Sequence, residues 1–281
     1  MSHDRAIKAT CISRLNSISI NSKQFSRAAR ALVQGIIYTM QTPLLSAPIA
    51  ANYSSDRLTI GAGVAIFHVR TKRVVVCYHT LEKYWFLPKG RKNANESITT
   101  AAEREGFEET GYRNRLLPIP IIHKQTDPDA GHEPFVTEAV WVQLLPLSAI
   151  KQYLLFWYIA ETVPQDVELS YDREVGQDSQ TALPSRVYVP PPPFPKRQTL
   201  QQRIDEDTLI AEDGTRKTYE PKWHEGTGVN EDESYYRSLL LTVDDACKKL
   251  GRGVMRDVVR KGWEAIQLRQ TVESGSEITS P

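Results

Sequence analysis

Apolar positions along the chain fall into blocks with different periods. Residues 58–69 (LTIGAGVAIFHV) and 73–78 (RVVVCY) are short runs rich in β-branched side chains, joined by Arg70-Thr71-Lys72, and predict two strands. Residues 84–87 (YWFL) predict a third, shorter strand that delivers the chain to Gly90. A polar loop follows, and then a helical pattern: Ser97 is the expected N-cap, residues 98–110 the helix, and Gly111 the C′ residue. Residues 116–123 predict a strand made irregular or edge-like by Pro118 and Pro120. Two longer apolar segments come next, 135–145 and 153–162, the second short, aromatic and strand-like.

From residue 163 to about 230 that periodicity is lost. Six of the 17 prolines fall between Pro184 and Pro195, four of them consecutive at 190–193. Such a run favours polyproline II and cannot enter a sheet or helix interior. Segment 164–230 is expected to be a polar, proline-rich insertion, largely disordered, whose shortening near Pro184–Pro195 the fold would tolerate; a motif for a protein partner is the second reading. Pattern resumes with a strand at 235–242, a short helix to Leu250 capped by Thr242 or Asp244, and a helix over 253–269. Val254, Val258, Trp263 and Ile266 share one face of that last helix. One domain over residues 55–270, interrupted by the insertion, accounts for these elements, with a disordered tail at 271–281.

Residues 1–54 do not read as core. Residues 1–38 carry Arg5, Lys8, Arg14, Lys23, Arg27 and Arg30 against one acid, Asp4. Three readings of this basic extension stand side by side: a mitochondrial transit peptide, a disordered arm, or residues upstream of a true start at Met40. With a formal net charge of +1, bulk electrostatics point neither to nucleic acid nor to a membrane. No apolar run approaches the ~18 residues of a membrane span. Cys11, Cys77 and Cys247 are far apart and lack C-x-x-C spacing, which argues against a disulfide framework or a zinc site and fits a reducing compartment, cytoplasmic or nuclear. Cys77, inside an apolar run, reads as core.

Chemistry concentrates between Gly90 and Tyr112 (GRKNANESITTAAEREGFEETGY). Glu105, Glu108 and Glu109 sit at i, i+3 and i+4, so they share one helix face and repel one another. Such a cluster is either a solvated acidic face or a site for Mg²⁺ or Mn²⁺, hard cations that take oxygen ligands. The glycine turn at Gly90 and the further acid Glu96 favour the metal. Ala102, Gly106 and Thr110 form a second stripe of small residues that lets the helix lie close to its neighbour. Lys89, Arg91 and Lys92 flank the turn, where they are either phosphate ligands or part of a solvated loop.

Written as G-x5-E-x7-R-E-x-x-E-E-x-G, the run resembles the Nudix box of hydrolases that cleave nucleoside diphosphates linked to another moiety. The one departure is Gly106, where a larger aliphatic residue is usual. The resemblance extends over most of 57–163 and 231–268 and implies an α+β fold, an α/β/α sandwich around a mixed sheet. It implies that Glu105, Glu108 and Glu109, with the Gly90 carbonyl, bind divalent metal, and that Arg104 holds box carboxylates through charge-assisted hydrogen bonds. Glu96 is assigned to structural support or an outer metal sphere. For the general base the resemblance leaves several candidates: Glu105 is preferred, with Glu138, Glu161 and the Glu231-Asp232-Glu233 cluster outside the box. His123 and His132 are weaker metal candidates. The motif Leu87-Pro88-Lys89-Gly90 resembles the branch acting on diphosphoinositol and diadenosine polyphosphates. Nucleotide sugars, dinucleotide coenzymes, capped RNA, or a binding protein that has lost catalysis are the alternatives.

Overall fold

A computed structural model describes residues 45–126, 134–176, 188–210 and 213–277. The three readings of residues 1–38, His132, and Pro184 of the proline run fall outside the described residues.

The longest apolar runs build the centre of one sheet. β1 (Leu58–His68) and β7 (Gln152–Thr162) pair in parallel, and both are buried along most of their length. A strand covered on both faces needs a continuous apolar run rather than alternation, which is what residues 62–67 supply. β2 (Arg73–His79) pairs antiparallel with β1, and β10 (Tyr236–Thr242) continues outward from β2. β3 (Tyr84–Phe86) pairs with β2 and β4 (Lys89–Arg91) with β1, while β5 (Asn114–Leu116) and β6 (Trp141–Pro146) pair with β7. The sheet is therefore mixed, in the order β10-β2-β1-β7-β5.

Successive residues of β1 serve opposite layers. Ala62, Val64 and Ile66 pack with Ala101 and Ala102 of α1 (Ile98–Thr110). Ala65 and Phe67 face a second core that includes Val258, Val259 and Ile266 of the long C-terminal helix. These two helical layers make the α/β/α sandwich, an α+β fold. No helix among the described residues is long and apolar enough to cross a membrane.

Three expectations are corrected. The first is the insertion. Gln165–Gly176 is a helix, α2, and Leu200–Glu206 is another, α3, entered through a complete capping box at Thr199 and Gln202. β8 (Thr208–Ile210) and β9 (Arg216–Thr218) form a hairpin after it. Phe194, at the end of the proline run, is buried in the main core with Leu200 and Ile204. Polarity suggested solvent exposure; here the charges are buried in pairs. Arg203 of α3 meets Glu161 of β7 at 2.8 Å and Asp207 at 2.8 Å, Arg115 meets Glu161 at 2.8 Å, and His68 meets Asp207 at 3.3 Å. Each carboxylate and guanidinium of this group finds a partner of opposite sign, the condition under which buried charge is tolerated.

The second correction concerns the tail. After α4 (Val243–Leu250), α5 runs from Val254 to Glu277, so residues 271–277 are helical. Glu273 explains the extension: it accepts the Leu200 N–H at 2.6 Å and pairs with Arg269 at 2.7 Å. Third, the strand expected over 116–123 shrinks to β5 and one bridge between Ile119 and Val136. Pro118 and Pro120 have no N–H to donate to a ladder.

Candidate active site

The acidic helix α1 begins and ends where its sequence signals lie. Ser97 accepts the Thr100 N–H at 3.0 Å, and Gly111, at φ 75°, closes the helix with its N–H on the Phe107 carbonyl. Its C-terminal carbonyls are held by residues from far along the chain. Trp223 Nε1 and the Ser238 hydroxyl both donate to the Thr110 carbonyl, at 3.1 and 2.6 Å. Thr227 donates to the Glu108 carbonyl at 2.9 Å, and the His224 N–H to that of Gly111 at 2.9 Å. The return of the insertion thus straps the end of the helix to the body of the protein.

Arg104 is the hub of the site. Its Nε and Nη2 donate to Glu96 at 2.7 and 3.0 Å, and its Nη1 to Glu105 at 2.8 Å and Glu108 at 2.6 Å. Nη2 also donates to the Arg91 carbonyl at 2.8 Å, which ties the helix to the end of β4. Glu96 further accepts the Asn93 N–H at 2.7 Å. Burial pushes Glu96 up, but the bonds from Arg104 and Asn93 outweigh it and hold the carboxyl below its usual range.

Glu105 lies over Gly90. A Cβ on Gly90 would collide with the Glu105 carboxylate, so a glycine at this position lets helix and turn approach so closely. Glu109, one turn on, accepts the Lys89 N–H at 2.7 Å. Burial dominates both acids. It pushes Glu105 up to about 7 against the pull of Arg104, with Glu108 and Glu233 adding to the rise. It pushes Glu109 up to about 8 against the pull of Lys89, with Glu105 and Glu233 adding again. Glu108 moves the same way, from burial first and with Arg104 opposing.

Among the described residues, no three acid, histidine or cysteine side chains converge into a ready-made metal cage. Glu105 and Glu108 converge instead on one cationic atom, Arg104 Nη1, while Glu109 is turned to the Lys89 N–H. In kind the donors suit a hard divalent cation. They are all oxygens, and burial first, with the neighbouring carboxylates adding, pushes Glu105 and Glu109 upward.

The other predicted residues divide. Arg91 is exposed, Lys92 folds its ammonium onto the Asn93 carbonyl at 2.9 Å, and Lys89 Nζ lies 5.7 Å from the centre of the Phe86 ring. Of the outside acids, Glu161 is committed to Arg115 and Arg203, and Glu138 is exposed beside Tyr158. Asp232 accepts from the Tyr236 hydroxyl at 3.1 Å. Glu233 alone of these acts on all three acids of α1, its carboxylate held by the Val229 N–H at 2.6 Å and by the Asn230 side chain. His123 is half-buried and its partner His132 is not described. Cys77 is fully buried, as its apolar run predicted.

Sequence reasoning missed Tyr153, whose hydroxyl donates to the Gly90 carbonyl at 2.9 Å, and an aromatic cluster beside the site. In that cluster the buried His79 ring lies 5.2 Å from Tyr84 and 6.0 Å from Tyr235, centre to centre. Both tyrosines are substantially exposed, and Tyr84 and Tyr236 feel the charge of Glu109. Nothing in the spacing of these residues announces them, because strands that are distant in sequence bring them together.

Residues 58–177 match the family model of the NUDIX domain. Solved structures similar to the chain include a NUDIX hydrolase from Nitrosomonas europaea, 13% identical over 74% of this chain and 90% of that one, at a TM-score of 0.36. A NUDIX-family hydrolase from Clostridium perfringens is 15% identical over 75% and 97%, at 0.35. An Ap4A hydrolase binary complex from C. elegans is 12% identical over 72% and 93%, at 0.32.

Proposed function

We propose, on the premise that this chain carries a Nudix domain and is a Nudix-type pyrophosphohydrolase, that it cleaves phosphoanhydride linkages in densely phosphorylated small molecules, diphosphoinositol polyphosphates or diadenosine polyphosphates. The observation that carries this reading is the position of Lys89, Arg91 and Lys92. They lie in and just after β4, the strand whose glycine sits under Glu105, and among the described residues none of them is ion-paired. A substrate with many phosphates needs cations beyond those at the scissile linkage. Each exposed charge contact is modest and screened by salt, so several must act together.

Glu105, Glu108 and Glu109, with the Gly90 carbonyl, would hold Mg²⁺ or Mn²⁺. Bound there, such a cation neutralises the oxygens of the linkage and lowers the pKa of a water. Arg104 keeps Glu105 and Glu108 on the substrate side of the helix, and Glu96 keeps Arg104 in place. Glu105, held over the Gly90 turn by Arg104, takes the proton of the attacking water. As the water oxygen bonds to phosphorus, the anhydride oxygen leaves with the electron pair of the broken bond.

Within this class the aromatic cluster favours the diadenosine compounds. Tyr84 and Tyr235 are exposed aromatics flanking the buried His79 ring, and a purine stacks on an exposed aromatic ring where an inositol ring does not. The test is a substrate panel with Mg²⁺ or Mn²⁺, run on the natural chain and on the triple variant Lys89→Ala, Arg91→Ala, Lys92→Ala. The variant is expected to raise KM strongly for densely phosphorylated substrates and little for a nucleotide sugar, with a difference that shrinks as salt rises. Preference of the natural chain for a nucleotide sugar or a dinucleotide coenzyme at equal concentration would end the substrate assignment.

A further inference from the structure

We infer that Tyr153 is a positioning residue for the hydrolysis: its hydroxyl fixes the Gly90 carbonyl in the orientation from which that carbonyl, together with Glu105, receives a divalent cation. The inference rests on the metal-dependent reading above and adds a residue from outside the acidic helix.

Tyr153 stands at the start of β7, and its hydroxyl donates to the Gly90 carbonyl at 2.9 Å across 63 residues of sequence. β1 lies between the two strands, since it pairs with β7 on one side and with β4 on the other. The ring must therefore cross β1 to reach Gly90, and it crosses at Gly61. A Cβ on Gly61 would collide with both the Tyr153 hydroxyl and the Gly90 carbonyl. A Cβ on Gly90 would collide with the Glu105 carboxylate. Two bare glycines thus let a phenol, a peptide carbonyl and a carboxylate from two strands and one helix meet at one place.

A backbone carbonyl has two lone pairs. Tyr153 occupies one and fixes the peptide plane, leaving the other for a cation. A ring present only to fill the space above two glycines would not need the oxygen, so Tyr153→Phe separates the two roles.

The experiment uses the full chain and reads Mn²⁺ binding directly, from the electron paramagnetic resonance signal of free Mn²⁺, beside kcat and KM. Tyr153→Phe is expected to weaken Mn²⁺ binding about five- to tenfold, the equivalent of one hydrogen bond, and to lower kcat while KM for substrate stays put. The melting temperature, measured without metal, is the control for packing. Mn²⁺ affinity and kcat equal to those of the natural chain, whether or not the melting temperature falls, overturn the role. Glu105→Gln is measured in parallel. If it weakens Mn²⁺ binding and Tyr153→Phe does not, the inference fails alone. If the natural chain binds no Mn²⁺, the metal-dependent reading fails with it.

Discussion

Gly106 stands where the Nudix box that this run resembles usually has a larger aliphatic residue, and replacing it with alanine sets two physical effects against each other. In an open helix the change would stabilise by up to about 1 kcal/mol through helix propensity. The structure removes that openness. A Cβ at Gly106 would lie 2.7 Å from Asn114 Nδ2 and 2.9 Å from Val64 Cγ1. Neither neighbour can yield without loss. Val64 is fully buried in β1, and Asn114 is almost fully buried, with Nδ2 donating to the Glu103 carbonyl at 2.9 Å and to that of Tyr112 at 3.3 Å. Overpacking a tight core costs about 1–3 kcal/mol, and disturbing a buried hydrogen bond about 1 kcal/mol more. The loss exceeds the gain, so Gly106→Ala should destabilise by about 2 kcal/mol, a fall of roughly 4–8 °C in melting temperature for a chain of this size. Thermal and urea denaturation, followed by circular dichroism in the absence of metal, measure it. A raised melting temperature would show that α1 does not lie close on β1 and would remove the steric account of this helix.

Two further outcomes are expected. Glu105 and Glu109 have folded pKa values raised above the unfolded range, so the folded chain binds more protons than the unfolded one between about 4.5 and 8. Their contribution is complete below that window and is lost as pH rises through it. The metal-free melting temperature should fall from pH 5 to pH 8, and added Mn²⁺ should restore more at pH 8 than at pH 5; a flat profile in chelator would contradict the buried acids. Phe194→Ala should cost about 3–5 kcal/mol, as for a core aromatic, because the ring is buried and lies beneath the guanidinium groups of Arg115 and Arg269 at 5.1 and 4.6 Å. A variant melting within a degree of the natural chain would return the proline run to the status of a linker.

The local signals were the readable ones. Ser97, the small-residue stripe and Gly111 specify α1 within a single stretch, and the helix occupies residues 98–110 as its caps predict. β1 and β7 were legible because strands buried on both faces are written as unbroken apolar runs. What stayed hidden depends on partners distant in sequence. Arg203 and Asp207 look solvent-facing until Glu161 and His68 are placed beside them. Trp223, Thr227 and Ser238 are ordinary residues until the end of α1 presents its carbonyls to them. Tyr153 reads as one more aromatic in an apolar strand, and only the crossing over Gly61 makes its oxygen part of the site. The tail misled for the same reason: Glu273 looks like an exposed acid in a fading pattern, yet it anchors Leu200.

The central claim is that the acids of α1 form a metal-dependent hydrolytic centre, and Glu109→Gln tests it most directly. Release of phosphate-containing product from a diadenosine polyphosphate is measured at saturating Mg²⁺ for the natural chain, the variant, and the natural chain in chelator. Turnover is expected only in the first. The variant should keep its fold, and its metal-free melting temperature at pH 8 should equal or exceed that of the natural chain, because an acid pushed up to about 8 by burial has been replaced by a neutral group of the same shape. Wild-type turnover by Glu109→Gln at saturating Mg²⁺, or turnover by the natural chain in chelator, would contradict the claim.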